Sequence, residues 1–331
     1  MPTALIQGRV ATEHTDRLRS LVGSDWEVLE WDPRKQEEDA FAPMLVEADV
    51  VIGGKIPLDP WPAVPKLKLF QIPWTGYDFL KPDEIPAGVP VCNTFEHETS
   101  IAEYVLLAML EWQIGLRNMD KGFRAHGWGG RGPGESLIHG EVRGRTVGIV
   151  GYGHIGAEVA KRAAAFDMRV IGVRRSTQPT PENLDWLGTT DRLDDLLAES
   201  DFVVIACDLN DETRNLINAD RFSKMKPDGV IINVSRGAVV EEKALYEALS
   251  EKRIGGGVID VWYNYMKPDE PEPWPTNYPF EKLDNLIASA HECGWTLEQV
   301  ARRWAFVVSN IERAMRGEEL KNVVFTGTQQ G

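Results

Sequence analysis

The segment TVGIVGYGHIGAEVAKRAAAF (Thr146–Phe166) decides how this chain is read. An apolar run opens it, Gly151, Gly153 and Gly156 follow in a G-x-G-x-x-G spacing, and a helical pattern closes it. Strand, tight turn and helix in that order predict a phosphate-binding turn. Gly151 permits the turn, Gly153 lets backbone approach a pyrophosphate, and Gly156 lets helix and strand pack closely. Tyr152, His154 and Ile155 fill the remaining positions, and the helix start offers free N–H groups and the positive dipole end to an anion. The bland alternative is a glycine-rich turn that binds nothing, and the complete strand–turn–helix context weighs against it.

The same alternation extends in both directions. Downstream, RVIGV, DFVVIAC, GVIINVS, IGGGVIDV and NLIASA join TVGIVG as six expected strands with helices between them, enough for one dinucleotide-binding domain. Upstream, ALIQ, WEVLE, ADVVIGG, LKLFQIP and VPVCN read as strands, with a helix over TDRLRSLVG. One long helix is expected over residues 100–123, then a glycine-rich irregular stretch over 124–144. LEQVARRWAFVVSNIERAMRG forms a last helix that could pack on either domain.

Composition narrows the functional classes. The chain has 331 residues, room for two cores, and 43% of them are hydrophobic, which fits an ordered globular protein. A net charge of −15 without a basic run argues against nucleic acid as a partner. Cys92, Cys207 and Cys293 form no CxxC pair, so neither a disulfide framework nor a metal is expected. No apolar stretch approaches membrane-spanning length and the N-terminus lacks a targeting pattern, so a cytoplasmic protein without membrane contact is expected.

Eighteen and nineteen positions beyond Gly156 stand Arg174 and Arg175, followed by Ser176, at the end of the next strand. An acid there would accept ribose hydroxyls. Guanidiniums cannot accept hydrogen bonds but suit a 2′-phosphate, so NADP(H) is expected over NAD(H). Asp208 in ACDLNDETR argues the other way, being an acid near the expected adenosine ribose.

TSIAEYVLLAML, GRTVGIVGYGHIG, DETRNLI, INVSRGAVVEEKAL, GGGVIDVW and ASAHECGWT, in that order, resemble the D-isomer-specific 2-hydroxyacid dehydrogenases. That group includes glyoxylate/hydroxypyruvate reductases and formate and phosphite dehydrogenases. TGYD near the start and MRGEELKNVVF near the end extend the resemblance over most of the chain. It implies an α/β fold of two domains: a Rossmann dinucleotide-binding domain at 103–295, and a flavodoxin-like substrate domain from 1–102 and 296–331. It also implies a homodimer, with the long helix and the loop around Trp128 in its interface, and a small anionic substrate.

Residue by residue, the resemblance implies that Arg236 in NVSRG holds a 2-oxo acid's carboxylate and polarises its ketone. His291 in SAHECG is the implied acid/base group. Asp260 would accept from the nicotinamide carboxamide. Cys207, Asp208, Thr213, Val234, Ser235, Gly294 and Ile101 join Arg236 and His291 as implied coenzyme contacts. Gly54, Thr75 and Gly76 would face the substrate anion, and His97, four positions before Ile101, is expected to face it too. One departure stands out. Much of the family carries an acid five positions after the aspartate, bonded to the catalytic histidine, and here that position holds Tyr265. Glu270-Pro271-Glu272-Pro273 comes seven residues late, so either Tyr265 or Glu272 partners His291. Tyr265 is favoured because the detour would have to refold to the same point.

The leading expectation is hydride transfer between NADP(H) and a small 2-oxo or 2-hydroxy acid. A formate- or phosphite-type NAD-dependent dehydrogenase is the enzymatic rival, and a non-catalytic NAD(P)H-sensing binding protein is the rival from another class.

Overall fold

The computed structural model describes residues 1–129, 138–266 and 272–329. The chain divides into two compact units, Met1–Glu96 with Thr296–Gly331, and His97–Trp295. A boundary after residue 102 would cut the helix Glu98–Ile114, which is one element of the second unit.

In the first unit, strands β1 (Thr3–Gln7), β2 (Glu27–Trp31), β3 (Val50–Gly53), β4 (Leu69–Gln71) and β5 (Pro90–Cys92) lie parallel. A sixth strand at Val323–Thr326 pairs antiparallel with β5 at the sheet edge. Alternate residues feed opposite faces: Leu5, Val51, Phe70 and Val91 pack into one core, and Ala4, Ile6, Val50, Ile52 and Leu69 into the other. The helix Leu297–Arg316 covers the second face with Trp304, Val307, Val308 and Ile311, a stripe at helical spacing.

The second unit holds seven parallel strands rather than the expected six. They are β6 (Thr146–Val150), β7 (Arg169–Val173), β8 (Trp186–Gly188), β9 (Phe202–Ile205), β10 (Val230–Asn233), β11 (Gly256–Ile259) and β12 (Leu286–Ala288). Their order in the sheet is β12-β11-β10-β9-β6-β7-β8. The additional strand, β8, is a three-residue edge strand and only half-buried, so it lacks the apolar run that marked the others. Strands β6 and β9 are buried at every position, because helices cover both faces. Chain order reverses between β6 and β9, which opens a crevice at their C-terminal ends.

The expected long helix is two helices, Glu98–Ile114 and Leu116–His126. Gly115 between them takes φ +70°, ψ +35°, a left-handed cap that ends the first helix and starts the second.

Candidate active site

The expected coenzyme and acid/base residues beyond Ile101 lie past the C-terminal ends of strands in the second unit's sheet, in the loops that run on from them or, for His154, Ile155 and Gly156, in the first turn of the helix that follows β6. Gly151 follows β6 with φ +98°. A Cβ there would stand 2.5 Å from Cys207 Cα and 2.7 Å from the Ala206 carbonyl carbon, so only glycine lets the turn meet the end of β9. At Gly156 a Cβ would meet Gly151 O at 2.8 Å, which keeps the helix His154–Ala165 close to its strand. Gly153 differs, because its φ is −119° and a Cβ would find no heavy atom within 4 Å. Packing of the protein therefore does not require glycine at 153. The open space in front of it, at the first turn of a helix, fits an approaching pyrophosphate, so the residues present suit a dinucleotide.

Arg174 and Arg175 lead out of β7, where Arg174 is half-buried and bonded to Gln178, and Arg175 and Ser176 are exposed. Past β9, Thr213 Oγ1 donates to Asp208 O at 2.7 Å and closes a short loop, while the exposed Asp208 carboxylate accepts from Asn210 Nδ2 at 3.2 Å. Asp208 and the Arg174–Arg175 pair stand past different strands, β9 and β7. Burial pushes the Cys207 thiol up to about 12 and Cys92 up to about 11, and it raises Cys293 as well, with Asp260 adding to the effect. None of these thiols is a ready nucleophile. Among the described residues no group of three His, Cys, Asp or Glu side chains is placed to hold a metal, and no helix is long and apolar enough to cross a membrane.

Past β10, Asn233 shapes the turn that carries Arg236. Its Nδ2 donates to Arg236 O at 3.0 Å, and its Oδ1 accepts from Ser235 N and Ser235 Oγ at 3.1 and 3.2 Å. Arg236 Nη1 donates to Ser235 O at 2.9 Å, and Val234 and Ser235 are buried beneath it. Asn233 was missed in the sequence, although a buried Asn closing a core strand is a usable signal.

Past β11, Asp260 is 0% exposed. Its Oδ1 accepts from Ser289 Oγ at 2.6 Å and Glu292 N at 2.9 Å, and its Oδ2 accepts from Cys293 N at 3.2 Å. Tyr104 Oη meets Ser289 Oγ at 2.7 Å, and Trp262 Nε1 donates to Ser289 O at 2.8 Å. These bonds fix the loop that carries His291, which sits at φ +60°, a conformation costly for a non-glycine residue. Such a residue is held by its surroundings at a cost of about 1–3 kcal/mol. In this structure Asp260 is thus an anchor of the histidine loop, a role its sequence position did not announce.

His291 is exposed as a residue. Burial and then the Arg236 guanidinium hold its pKa below the ordinary histidine value, against the raising influence of Asp260. Arg236 therefore lies within electrostatic reach of His291. Tyr265 Oη stands 3.1 Å from His291 Nδ1, with the two rings edge to face at 5.8 Å between centroids. Glu272 is exposed and makes no hydrogen bond or ion pair with His291 among the described residues, and Glu270 and Pro271 lie outside them. Of the two residues left open by the sequence, Tyr265 is the one placed beside His291.

Gly294, three residues on, accepts from Ser100 Oγ at 3.3 Å through its carbonyl. A Cβ on Gly294 would contact Ile101 at 3.6 Å and His97 at 3.7 Å, so the start of the Glu98–Ile114 helix abuts the histidine loop. In the first unit, Gly54 O accepts from Gln7 Nε2 at 2.6 Å and its Cα faces Trp74, the residue before Thr75 and Gly76. Thr75 Oγ1 donates to Thr94 O at 2.8 Å, and Asn93 Nδ2 donates to Thr75 O at 2.7 Å. Gly54, Thr75 and Gly76 are thereby gathered at the C-terminal ends of β3, β4 and β5. Gln7 and Asn93, which hold them, were not singled out in the sequence.

Residues 106–293 match the model of the D-isomer specific 2-hydroxyacid dehydrogenase NAD-binding domain. The chain is 32% identical to a glyoxylate reductase of Thermofilum pendens over 88% of its own length and 85% of that protein's. It is 33% identical to glyoxylate/hydroxypyruvate reductase B of Pectobacterium carotovorum, over 98% of each chain. Among solved structures it is similar to an NADPH-dependent glyoxylate/hydroxypyruvate reductase of Sinorhizobium meliloti in complex with NADP and sulfate. That match has 25% identity, 98% coverage of each chain and a TM-score of 0.80.

Proposed function

The chain belongs to the D-isomer specific 2-hydroxyacid dehydrogenase family and is an NAD(P)-dependent oxidoreductase of that family, and from that premise we propose that it reduces a small 2-oxo acid with NADPH preferred. The observation that carries this reading is that His291, after β12, and Arg236, after β10, stand past the C-terminal ends of their strands, as the dinucleotide turn does after β6, with the Arg236 charge felt at His291. The coenzyme, when bound, supplies or takes the hydride.

The protein's own residues do the rest. Arg236 holds the substrate carboxylate in a bidentate pair and draws electron density from the ketone. His291 gives a proton to the ketone oxygen, and takes one back in the reverse direction. Gly54, Thr75 and Gly76 offer backbone N–H groups to the substrate anion, and His97 is a further substrate contact. Gly151, Gly153 and Gly156 shape the pyrophosphate site with Tyr152, His154 and Ile155. Asp260, Val234, Ser235, Cys207, Asp208, Thr213, Ile101 and Gly294 wall the coenzyme.

Arg174, Arg175 and Ser176 support the NADPH preference, because two guanidiniums suit a 2′-phosphate and not a bare ribose. Comparing kcat/KM for NADPH and NADH with glyoxylate tests it. The Arg174→Asp/Arg175→Ser variant is expected to lose NADPH turnover by about tenfold or more, a loss of about 1.4 kcal/mol, while NADH turnover holds or rises. Equal loss with both coenzymes would reject the assignment.

A homodimer in a reducing, cytoplasmic setting completes the proposal. Leu116, Met119 and Phe123 are exposed on one face of the Leu116–His126 helix, with Leu107 and Trp128 also exposed. An apolar stripe left in water on such a helix supports a partner surface.

A further inference from the structure

The group facing His291 Nδ1 is a phenol and not a carboxylate. Tyr265 Oη lies 3.1 Å from Nδ1 and accepts a hydrogen bond from Trp262 N at 3.3 Å. Tyr265 springs from a fixed neck. Tyr263 N and Asn264 N both donate to Pro275 O at 3.1 and 3.0 Å, Asn264 Nδ2 donates to Trp274 O at 3.1 Å, and Tyr263 Oη donates to Val240 O at 3.1 Å. A carboxylate can only accept, and so holds a histidine as the Nδ1–H tautomer. A phenol carries one hydrogen and two lone pairs. With the Trp262 N–H on one lone pair, the phenol keeps its hydrogen and its other lone pair available to Nδ1, where a carboxylate would offer lone pairs alone.

We propose that Tyr265 is a positioning residue that donates to His291 Nδ1 and holds the neutral imidazole as its Nε2–H tautomer. The inference rests on the reading of His291 as the group that exchanges a proton with the substrate oxygen. The resting ring then presents a hydrogen, and not a lone pair, toward that oxygen. In reduction the Tyr265 donor must first give way, because a hydrogen bond donated to Nδ1 opposes the second proton of the imidazolium. A proton from solvent enters at Nδ1 as the Tyr265 hydroxyl turns away, the Nε2 proton goes to the ketone oxygen as hydride reaches the carbonyl carbon, and the ring is left neutral with Nδ1–H. Oxidation needs a bare Nε2 at the outset, which requires the tautomer that Tyr265 disfavours.

The charged and titratable groups around His291 are Arg236 from the turn after β10, Asp260 from the end of β11, Tyr265 itself, and Glu292 next in the chain. His97 lies against Gly294 on the same loop. Among the described residues, Tyr265 is the one for which a hydrogen bond to the ring is seen.

The test is nitrogen-15 NMR of the histidine-labelled full chain without coenzyme or substrate, with His291 assigned by the signals lost in His291→Asn. Wild type is expected to show Nε2–H and an unprotonated Nδ1 in the neutral form. Tyr265→Phe should give a mixture of tautomers, and Tyr265→Glu should give Nδ1–H with the ring titrating about 1–3 units higher. The alkaline limb of the kcat/KM profile for glyoxylate reduction should move up with it. An Nδ1–H wild-type ring, or a tautomer unmoved in Tyr265→Phe, overturns the proposal. If the tautomers behave as expected but no 2-oxo acid is turned over, the functional reading fails and the role of Tyr265 stands.

Discussion

Replacing Gly151 and Gly153 by alanine, one at a time, separates a glycine needed by the fold from one needed by the ligand. At Gly151 the added Cβ meets two penalties. A φ of +98° is costly for alanine, by about 1–3 kcal/mol. The Cβ would also press on backbone at 2.5 Å from Cys207 Cα and 2.7 Å from Ala206 C, and overpacking of that kind costs about 1–3 kcal/mol. Together about 2–6 kcal/mol is at stake, a large share of the stability of about 5–15 kcal/mol common to folded domains. Gly153 has an extended φ of −119° and open space where its Cβ would go, so Gly153→Ala should leave stability within about 0.5 kcal/mol. Its methyl group instead enters the space reserved for the pyrophosphate, and coenzyme affinity should fall tenfold or more, about 1.4 kcal/mol. Urea denaturation without coenzyme reads the first quantity, and fluorescence titration with NADPH reads the second. If Gly153→Ala binds NADPH as tightly as wild type, or unfolds as Gly151→Ala does, the placement of the pyrophosphate is wrong.

Three further outcomes are expected. His291 is held below the ordinary value of 6.5, and with its cation as the proposed proton donor in reduction, kcat/KM for 2-oxo acid reduction should be highest on the acid side and fall about tenfold per pH unit above neutrality; a profile flat to about pH 8 would show another donor. Asp32 is fully buried, accepts from Arg34 N, Nε and Nη2, and is held at about 2 chiefly by the Arg34 side chain. Its contribution is full above the unfolded value of about 3.8 and is lost as pH falls toward 2, so Asp32→Asn should cost about 1–2 kcal/mol at pH 7, discounted because Arg34 is partly in water, and less at pH 3 by urea midpoint. Phe123→Glu should shift the protein to a monomer in sedimentation velocity while its thermal transition as a monomer stays sharp.

The parallel strands were legible because helices cover both sheet faces, leaving apolar runs with a turn glycine at the end. Strands β8 and Val323–Thr326 escaped notice because both are edge strands that bury little of their surface. The break at Gly115 was hidden because glycine in a helical pattern costs only about 1 kcal/mol and need not end the helix, whereas its left-handed φ does. Around the site, the residues proposed to do the chemistry were named from spacing and resemblance. Their supports were not: Asp260 grips backbone N–H groups of Glu292 and Cys293, and Asn233 grips the Arg236 carbonyl, contacts that depend on how loops return. The approach of Tyr265 to His291 was an alternative in the sequence and becomes a single contact only when the loop is folded.

The most direct test of the account is steady-state oxidation of NADPH with glyoxylate and hydroxypyruvate, comparing wild type with His291→Ala and Arg236→Ala. The account predicts turnover of at least one of these acids. It also predicts a loss of about a hundredfold or more in kcat for His291→Ala, and a comparable loss in kcat/KM for Arg236→Ala. Turnover indifferent to His291 would contradict it.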